Sequence, residues 1–221
     1  MLRVQPVGDT AVLLEFGTAI DAAVFDAILG IEAALLADPP PGLIETVPAY
    51  VTLLLIFDPL VTDADTIAAA ALQAQATPMP RPPATLHMIP MCSNPDLAPD
   101  LADAADGAGM HAEALLDAFF ACELRVYMYG FAPGYAYMDG VPAALHLPRK
   151  AVPVRSRPAG SVMIAGGQCL ITTLPMPTGW WVIGATRTLV LRADESRPFL
   201  LQPGDRVRFG PRSRADFGGP E

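Results

Sequence analysis

The sequence predicts an α+β protein in two parts: a ferredoxin-like α/β sandwich over residues 1–82 and a β-sandwich or barrel over residues 83–221. Three observations carry this. Apolar residues in the first part follow strand and helix spacings in the order β-α-β-β-α, that of a split βαβ sandwich. From Leu124 onward helical periodicity almost vanishes, and strand-sized apolar runs recur between turn signals. Between the two regimes lies Thr77-Pro78-Met79-Pro80-Arg81-Pro82-Pro83, too proline-dense to extend a helix or pair in a sheet.

In the first part, Gly8-Asp9 reads as a turn before a strand at residues 11–16. Asp21 is placed to cap a helix, and Val24, Ile28, Ile31, Leu35 and Leu36 give that helix one apolar face up to Ala37. Asp38-Pro39-Pro40-Pro41-Gly42 stops it. Residues 43–47 and 51–57 read as strands joined by a turn at Pro48-Ala49. Asp63 or Asp65 caps an Ala-rich helix running to about Ala76, and residues 85–91 offer a closing strand.

In the second part, a strand at residues 85–89 meets a polar interruption, Cys92-Ser93-Asn94-Pro95-Asp96, followed by short helices at 98–105 and 111–121. A strand at 124–128 leads into Tyr129-Gly130-Phe131-Ala132-Pro133-Gly134-Tyr135-Ala136-Tyr137-Met138-Asp139-Gly140. Glycines and a proline fix this backbone, so it reads as a shaped loop, either functional or an Ω-loop packed by its own rings. Further strands are expected at 161–164, 168–172, 180–183, 188–191 and 206–209, with Pro203-Gly204-Asp205 among the turns. The polar tail from Pro211 is expected to fray.

Composition narrows the function. Hydrophobic residues make up 52% and charged residues 17%, enough for a core with apolar surface left for a partner. A net charge of −9 argues against nucleic acid or an anionic membrane as the main partner. Arg149, Lys150, Arg155 and Arg157 are clustered, either to meet an anion or as a solvated loop. Cys92, Cys122 and Cys169 have no CxxC spacing, which fits a reducing cytoplasm rather than a disulfide framework or a zinc site. The start has no apolar signal core, and no run reaches membrane-helix length.

No standard catalytic set emerges. The chain has no GxxxxGK[ST] phosphate loop, and Gly166-Gly167 is too short for a nucleotide fingerprint. His87, His111 and His146 lack metal spacing, and Ser161 is outside a GxSxG context. What remains is a set of glycine-plus-polar turns: residues 131–137, Pro158-Ala159-Gly160-Ser161, Gly166-Gly167-Gln168 and Pro177-Thr178-Gly179-Trp180. Amides in such turns bind carboxylate or carbonyl oxygens. Tyr135, Tyr137 and Trp180 could wall a small pocket, and Gln168 could bond an amide. Otherwise the glycines serve barrel corners and the rings fill the core.

These turns carry a resemblance. Gly8-Asp9, Val47-Pro48-Ala49-Tyr50, Gly130-Phe131-Ala132-Pro133-Gly134-Tyr135-Ala136-Tyr137, Pro148-Arg149, Pro158-Ala159-Gly160-Ser161-Val162-Met163-Ile164-Ala165-Gly166, Gly179-Trp180, Ile183-Gly184 and Pro203-Gly204-Asp205 occur in the order and spacing of a known family. The chain resembles the family of allophanate hydrolase subunit 1, the B subunit of the ATP-dependent 5-oxoprolinase, and the inhibitor of a sporulation histidine kinase. The resemblance implies that the second part is a cyclophilin-like β-barrel. It also implies a heteromer with a homologous barrel subunit, of the type of allophanate hydrolase subunit 2 or the 5-oxoprolinase C subunit. The pair would resemble the carboxyltransferase part of urea carboxylase, or would cleave 5-oxoproline with ATP.

The expectation is thus a hydrolase subunit, inactive alone, for a small amide or lactam, with ATP used in the assembled complex. Tyr135, Tyr137 and Trp180 would shape the site, Arg149 would meet a carboxylate or phosphate, and Gln168 with the amides near Gly160 and Ser161 would hold a carbonyl. The alternative is a non-catalytic regulator of the kinase-inhibitor type. Barrel resemblance alone does not imply isomerase activity.

The chain departs from the family pattern at specific turns. Ser93-Asn94-Pro95-Asp96 replaces Tyr-Gly-Gly-Glu, and Pro177-Thr178-Gly179-Trp180 replaces Pro-Gly-Gly-Trp. Gly184-Ala185-Thr186-Arg187 replaces Gly-Arg-Thr-Pro, Thr172-Thr173 replaces Tyr-Pro, and Pro153-Val154-Arg155 displaces an arginine by one. Arg187 or Arg155 would compensate for Ala185 if its side chain reaches the same space.

Overall fold

The computed structural model describes residues 2–77, 79 and 83–218. Internal contacts divide the chain into two compact units, Met1–Pro83 and Ala84–Glu221. Most of the Pro-rich linker, namely Pro78 and Pro80-Arg81-Pro82, where the boundary was expected, lies outside the described residues.

The first unit is a four-stranded antiparallel sheet, ordered β1-β2-β4-β3, with two helices. Its elements are β1 (Arg3–Val7), β2 (Ala11–Glu15), α1 (Ala22–Ala37), β3 (Leu43–Ala49), β4 (Thr52–Phe57) and α2 (Ala64–Ala76). The Asp21 carboxylate accepts the Ala23 and Val24 N–H groups at 2.7 and 3.2 Å, and Asp63, not Asp65, caps α2 through the Thr66 N–H at 2.8 Å. Strand alternation turns Val12, Leu14, Leu53, Leu55 and Phe57 toward Ile28, Ile31 and Leu35 of α1 and Ile67 and Ala71 of α2. Each large side chain so buried stabilises the unit by about 1.5–3 kcal/mol.

Two expectations are corrected here. Pro48 and Ala49 belong to β3, opposite Leu53 and Thr52, and the turn falls at Tyr50-Val51 with Tyr50 at φ 36°. β3 is an edge strand, where a proline costs no shared ladder bond. The position beside β2 is filled by β1, joined to it through the Gly8 turn, and not by residues 85–91.

Those residues start the second unit as β5 (Leu86–Met91), parallel to the last strand, β13 (Arg206–Pro211). Between them come α3 (Leu101–Gly107), α4 (Ala112–Ala121), β6 (Leu124–Tyr129), β7 (Ala136–Asp139), β8 (Val154–Arg157), β9 (Ser161–Ala165), β10 (Gln168–Ile171), β11 (Met176–Thr178) and β12 (Trp181–Ala185), and α5 (Arg214–Phe217) ends the unit. One sheet runs β12-β9-β10-β7-β6-β13-β5, and β8 and β11 form a separate ribbon. Cys92 and Ala185 exchange two backbone hydrogen bonds of 2.9 Å, which bring the end of β5 to β12 and make the sheet a nearly closed barrel. Gly184 permits this approach: a Cβ there would stand 2.8 Å from the Met91 side chain and 3.0 Å from the Cys92 carbonyl oxygen.

One face of this sheet, with Val162, Ile164, Cys169, Ile171 and Ile183, packs against Leu115 and Phe119 of α4. The other, with Met163, Ala165, Leu170 and Val182, packs against Tyr135, Met176 and Trp180.

Three further expectations change. The loop is confined to residues 130–135, because Ala136–Asp139 pairs with both β6 and β10. Residues 188–191 form no strand, only a bridge from Leu191 to Phe199. The tail is held rather than frayed through Phe217: the Arg212 N–H donates to the Met91 carbonyl at 2.8 Å, and Ser213 caps α5. Among the described residues no helix is long and apolar enough to cross a membrane.

Candidate functional site

A cavity of about 590 Å³ opens in the second unit where the Pro158–Ser161 turn, the end of β10 and the segment after β12 meet. Its wall is cross-tied. The Thr172 hydroxyl donates to the Pro158 carbonyl at 2.6 Å and accepts the Ser161 N–H at 2.8 Å. The Ser161 hydroxyl donates to the same carbonyl at 2.8 Å. Gly160 donates its N–H to the Thr172 carbonyl at 2.7 Å and accepts the Thr186 N–H at 2.8 Å. With its hydroxyl so committed, Ser161 is a structural member of the wall and not an activated nucleophile.

Beneath Arg157 the structure buries a charge cluster. Asp100 lies 2.5 Å from Lys150 Nζ and 3.4 Å from Arg157 Nη2, and it accepts the Val182 N–H at 2.9 Å. The Lys150 ammonium stands 5.2 Å over the Trp181 ring, whose indole N–H donates to the Pro148 carbonyl at 2.8 Å. Arg187 reaches the cavity, its guanidinium 5.4 Å over the Phe217 ring, whereas Arg155 does not line it. Asp96, also at the cavity, pairs with Arg214 at 3.0 Å.

The residues singled out from sequence fall in three places. Gly160 and Ser161 line the main cavity. Tyr135, Tyr137 and Trp180 do not: they form a row with centroids 5.6 and 6.2 Å apart, ending in the Arg149 guanidinium 5.4 Å over Trp180. Tyr135 and Trp180 are buried, and burial raises the Tyr135 phenol above the usual range. Phe131 extends the row 5.6 Å from Tyr135 and is 72% exposed, at φ 70°. Arg149 and Gln168 flank a second, open hollow of about 420 Å³ beside His146. Near it, burial raises the Asp139 carboxyl, and His146 partly offsets this.

Sequence reasoning missed Asp100 and Thr173 as site residues and saw Arg157 only as one of a basic cluster. No spacing marks them: Asp100 precedes α3, Arg157 ends β8 and Thr173 follows β10, three positions distant in sequence. Among the described residues no group of three His, Cys, Asp or Glu could hold a metal ion, and the three cysteines are free.

The chain matches the carboxyltransferase domain, subdomains C and D, over residues 2–201. It belongs to this family. Among the curated relatives of this carboxyltransferase-domain chain, the 5-oxoprolinase B subunit of Bacillus subtilis (strain 168) is 31% identical over 97% of this chain and 95% of its own length. The protein of the same name from Escherichia coli O157:H7 is 31% identical over 95% of each. Of solved structures, TTHA0988 superposes with a TM-score of 0.82 at 34% identity, and this chain spans 41% of its length. The K. lactis urea amidolyase, at 16% identity and a TM-score of 0.77, shares the fold. Asp96, Thr172, Thr173, Ala185 and Arg187, all at departures from the family's turns, line the main cavity.

Proposed function

We propose that this chain is one subunit of a 5-oxoprolinase-type enzyme acting on a small amide or lactam, with its substrate in the main cavity. The observation that carries this is the full-length match to the 5-oxoprolinase B subunit, 31% identical over 97% of this chain. The cavity supports it: about 590 Å³, lined mostly by apolar side chains such as Leu97, Val182, Leu189 and Phe217 with Arg157, Arg187 and several threonines among them, it has the mixed lining of a small-molecule site. Ferredoxin-like and cyclophilin-like are the finer descriptions we give the two units.

The enzyme is proposed to be a hydrolase working as a heteromer with a homologous barrel subunit, in the cytoplasm. The cavity wall has no glycine-rich loop opening onto a helix of the kind that cradles a triphosphate, and its donors do not fit one. We place the use of ATP in the assembled complex.

The test is co-purification from the native cell, followed by assay of the complex for ATP-dependent glutamate release from 5-oxoproline and for urea-type substrates. Turnover by the complex, and none by this chain alone, is expected. A complex containing a histidine kinase and lacking turnover would replace the enzyme reading with a regulatory one.

A further inference from the structure

Many polar groups around the main cavity are committed to the protein itself. The Ser161 and Thr172 hydroxyls donate to the Pro158 carbonyl, and the Gly160 and Ser161 amides are bonded to Thr172. The Thr186 N–H donates to Gly160, and its hydroxyl accepts the Thr188 N–H at 3.1 Å. Of the charges, Asp96 pairs with Arg214, Arg157 pairs with Asp100, and the Arg187 guanidinium lies over the Phe217 ring. The rest of the lining is mostly carbon, from Leu97, Val182, Leu189, Val190, Leu191 and Phe217. Leu189 is 68% exposed, so the cavity wall leaves apolar surface to water. At about 590 Å³ the space lies in the range, roughly 300–1,000 Å³, that buries drug-sized ligands. A bare five-membered lactam is far smaller. Two lining positions are also short where the family's turns are long: Ala185 stands at the arginine of Gly-Arg-Thr-Pro, and Thr172 at the tyrosine of Tyr-Pro.

We infer that the main cavity takes an apolar group, so that the amide or lactam substrate of this chain carries a branched aliphatic or aromatic substituent. Recognition there is by removal of carbon from water, which is roughly fourfold in affinity for each methylene buried. Ala185 and Leu189 set the specificity. Ala185 leaves room in the wall that a longer side chain would occupy, and Leu189 supplies apolar contact from the segment after β12. This rests on the reading of the cavity as the substrate site and adds what the substrate carries into it.

The test is calorimetry on the chain in its native complex, with 2-pyrrolidinone, 5-butyl-2-pyrrolidinone and 5-phenyl-2-pyrrolidinone, which share a lactam head and differ in the apolar group. The substituted lactams are expected to bind about tenfold or more tightly than the parent, with a more negative heat-capacity change. Ala185→Leu, which fills the space, is expected to remove most of that gain. Leu189→Ser, at an exposed position outside the core, is expected to remove roughly threefold of it while circular dichroism stays native. Equal binding of the three lactams, no saturable binding of any, or an unchanged gain in the folded Leu189→Ser protein overturns the inference. Turnover is read separately on the same complex. A complex that hydrolyses 5-oxoproline yet binds the three lactams alike sinks the apolar site and spares the enzyme reading. Binding that favours the substituted lactams, without turnover of any amide or lactam, does the reverse.

Discussion

The backbone of Gly160 lies so close to Thr186 that a Cβ at Gly160 would stand 2.2 Å from the Thr186 carbonyl oxygen. The same glycine has φ +83°, so a side chain there is opposed both by its own backbone and by the neighbouring segment. This contact fastens the Pro158–Ser161 turn to the segment after β12, the two sides of the main cavity.

Gly160→Ala is therefore expected to cost roughly 2–4 kcal/mol, more than the ~1–2 kcal/mol of a left-handed residue alone. Urea denaturation measures it. A loss below about 1 kcal/mol would show that the turn relaxes away from Thr186.

Asp100→Asn should be as damaging from a different cause. The amide keeps a hydrogen bond to Val182 but leaves the partly buried Lys150 and Arg157 without a counter-charge, a loss of roughly 2–4 kcal/mol, less than a fully buried pair would cost. Adding Lys150→Met should recover part of the loss. A double variant no more stable than Asp100→Asn would deny the coupling.

Asp139 gives a pH signature. Burial raises its carboxyl, so the fold prefers the neutral acid, and the native chain holds a proton that the unfolded chain has released. Its presence thus lowers stability at neutral pH, and that loss is regained as pH falls through the raised native value. Asp139→Asn should be the more stable protein at pH 7, by less than about 1 kcal/mol given the solvent around the site. The gap should close below the ordinary aspartate value of 3.8. Thermal melts across pH decide it, and a gap that widens in acid would reverse this sign.

The Cys122 thiol is pushed up to about 11 by burial, from an ordinary 9.0, and it donates to the Phe119 carbonyl at 3.0 Å. At pH 8 its thiolate is about a hundredfold scarcer than that of a free cysteine. Iodoacetamide should label it correspondingly slowly in the native protein, as read by peptide mass spectrometry. Labelling at the free-cysteine rate would contradict the burial.

Much of the first unit was legible because its signals are local. Asp21 and Asp63 announce helix starts through side chains that need only the next few amides, and the apolar run ending at Phe57 has strand length that is visible without a partner. The failures are non-local. Nothing in Leu86–Met91 reveals that its neighbour is Arg206–Pro211, and nothing in Pro48-Ala49 shows an edge position that tolerates a proline. At the site, the glycine turn could be read because its backbone demands glycine. The aromatic row could not be separated from the cavity, since Tyr135 and Trp180 carry the same signal as core or as pocket wall. Arg157 and Asp100 meet only because β8 and the start of α3 converge in space.

The parallel pairing of β5 with β13 has a bearing on synthesis. Thr85 bonds to the Asp205 carboxylate across 120 residues of sequence, and β13 is the strand that joins β5 to β6. While a ribosome is still making residues before 206, β5 and β6 each present an open hydrogen-bonding edge beside apolar side chains. The second unit cannot finish its sheet until translation has passed Pro211, long after the first unit has all its strands. The emerging chain would therefore carry a folded leading half and an adhesive, incomplete trailing half, the stage at which a chaperone is most needed and a nascent-chain crosslink most informative.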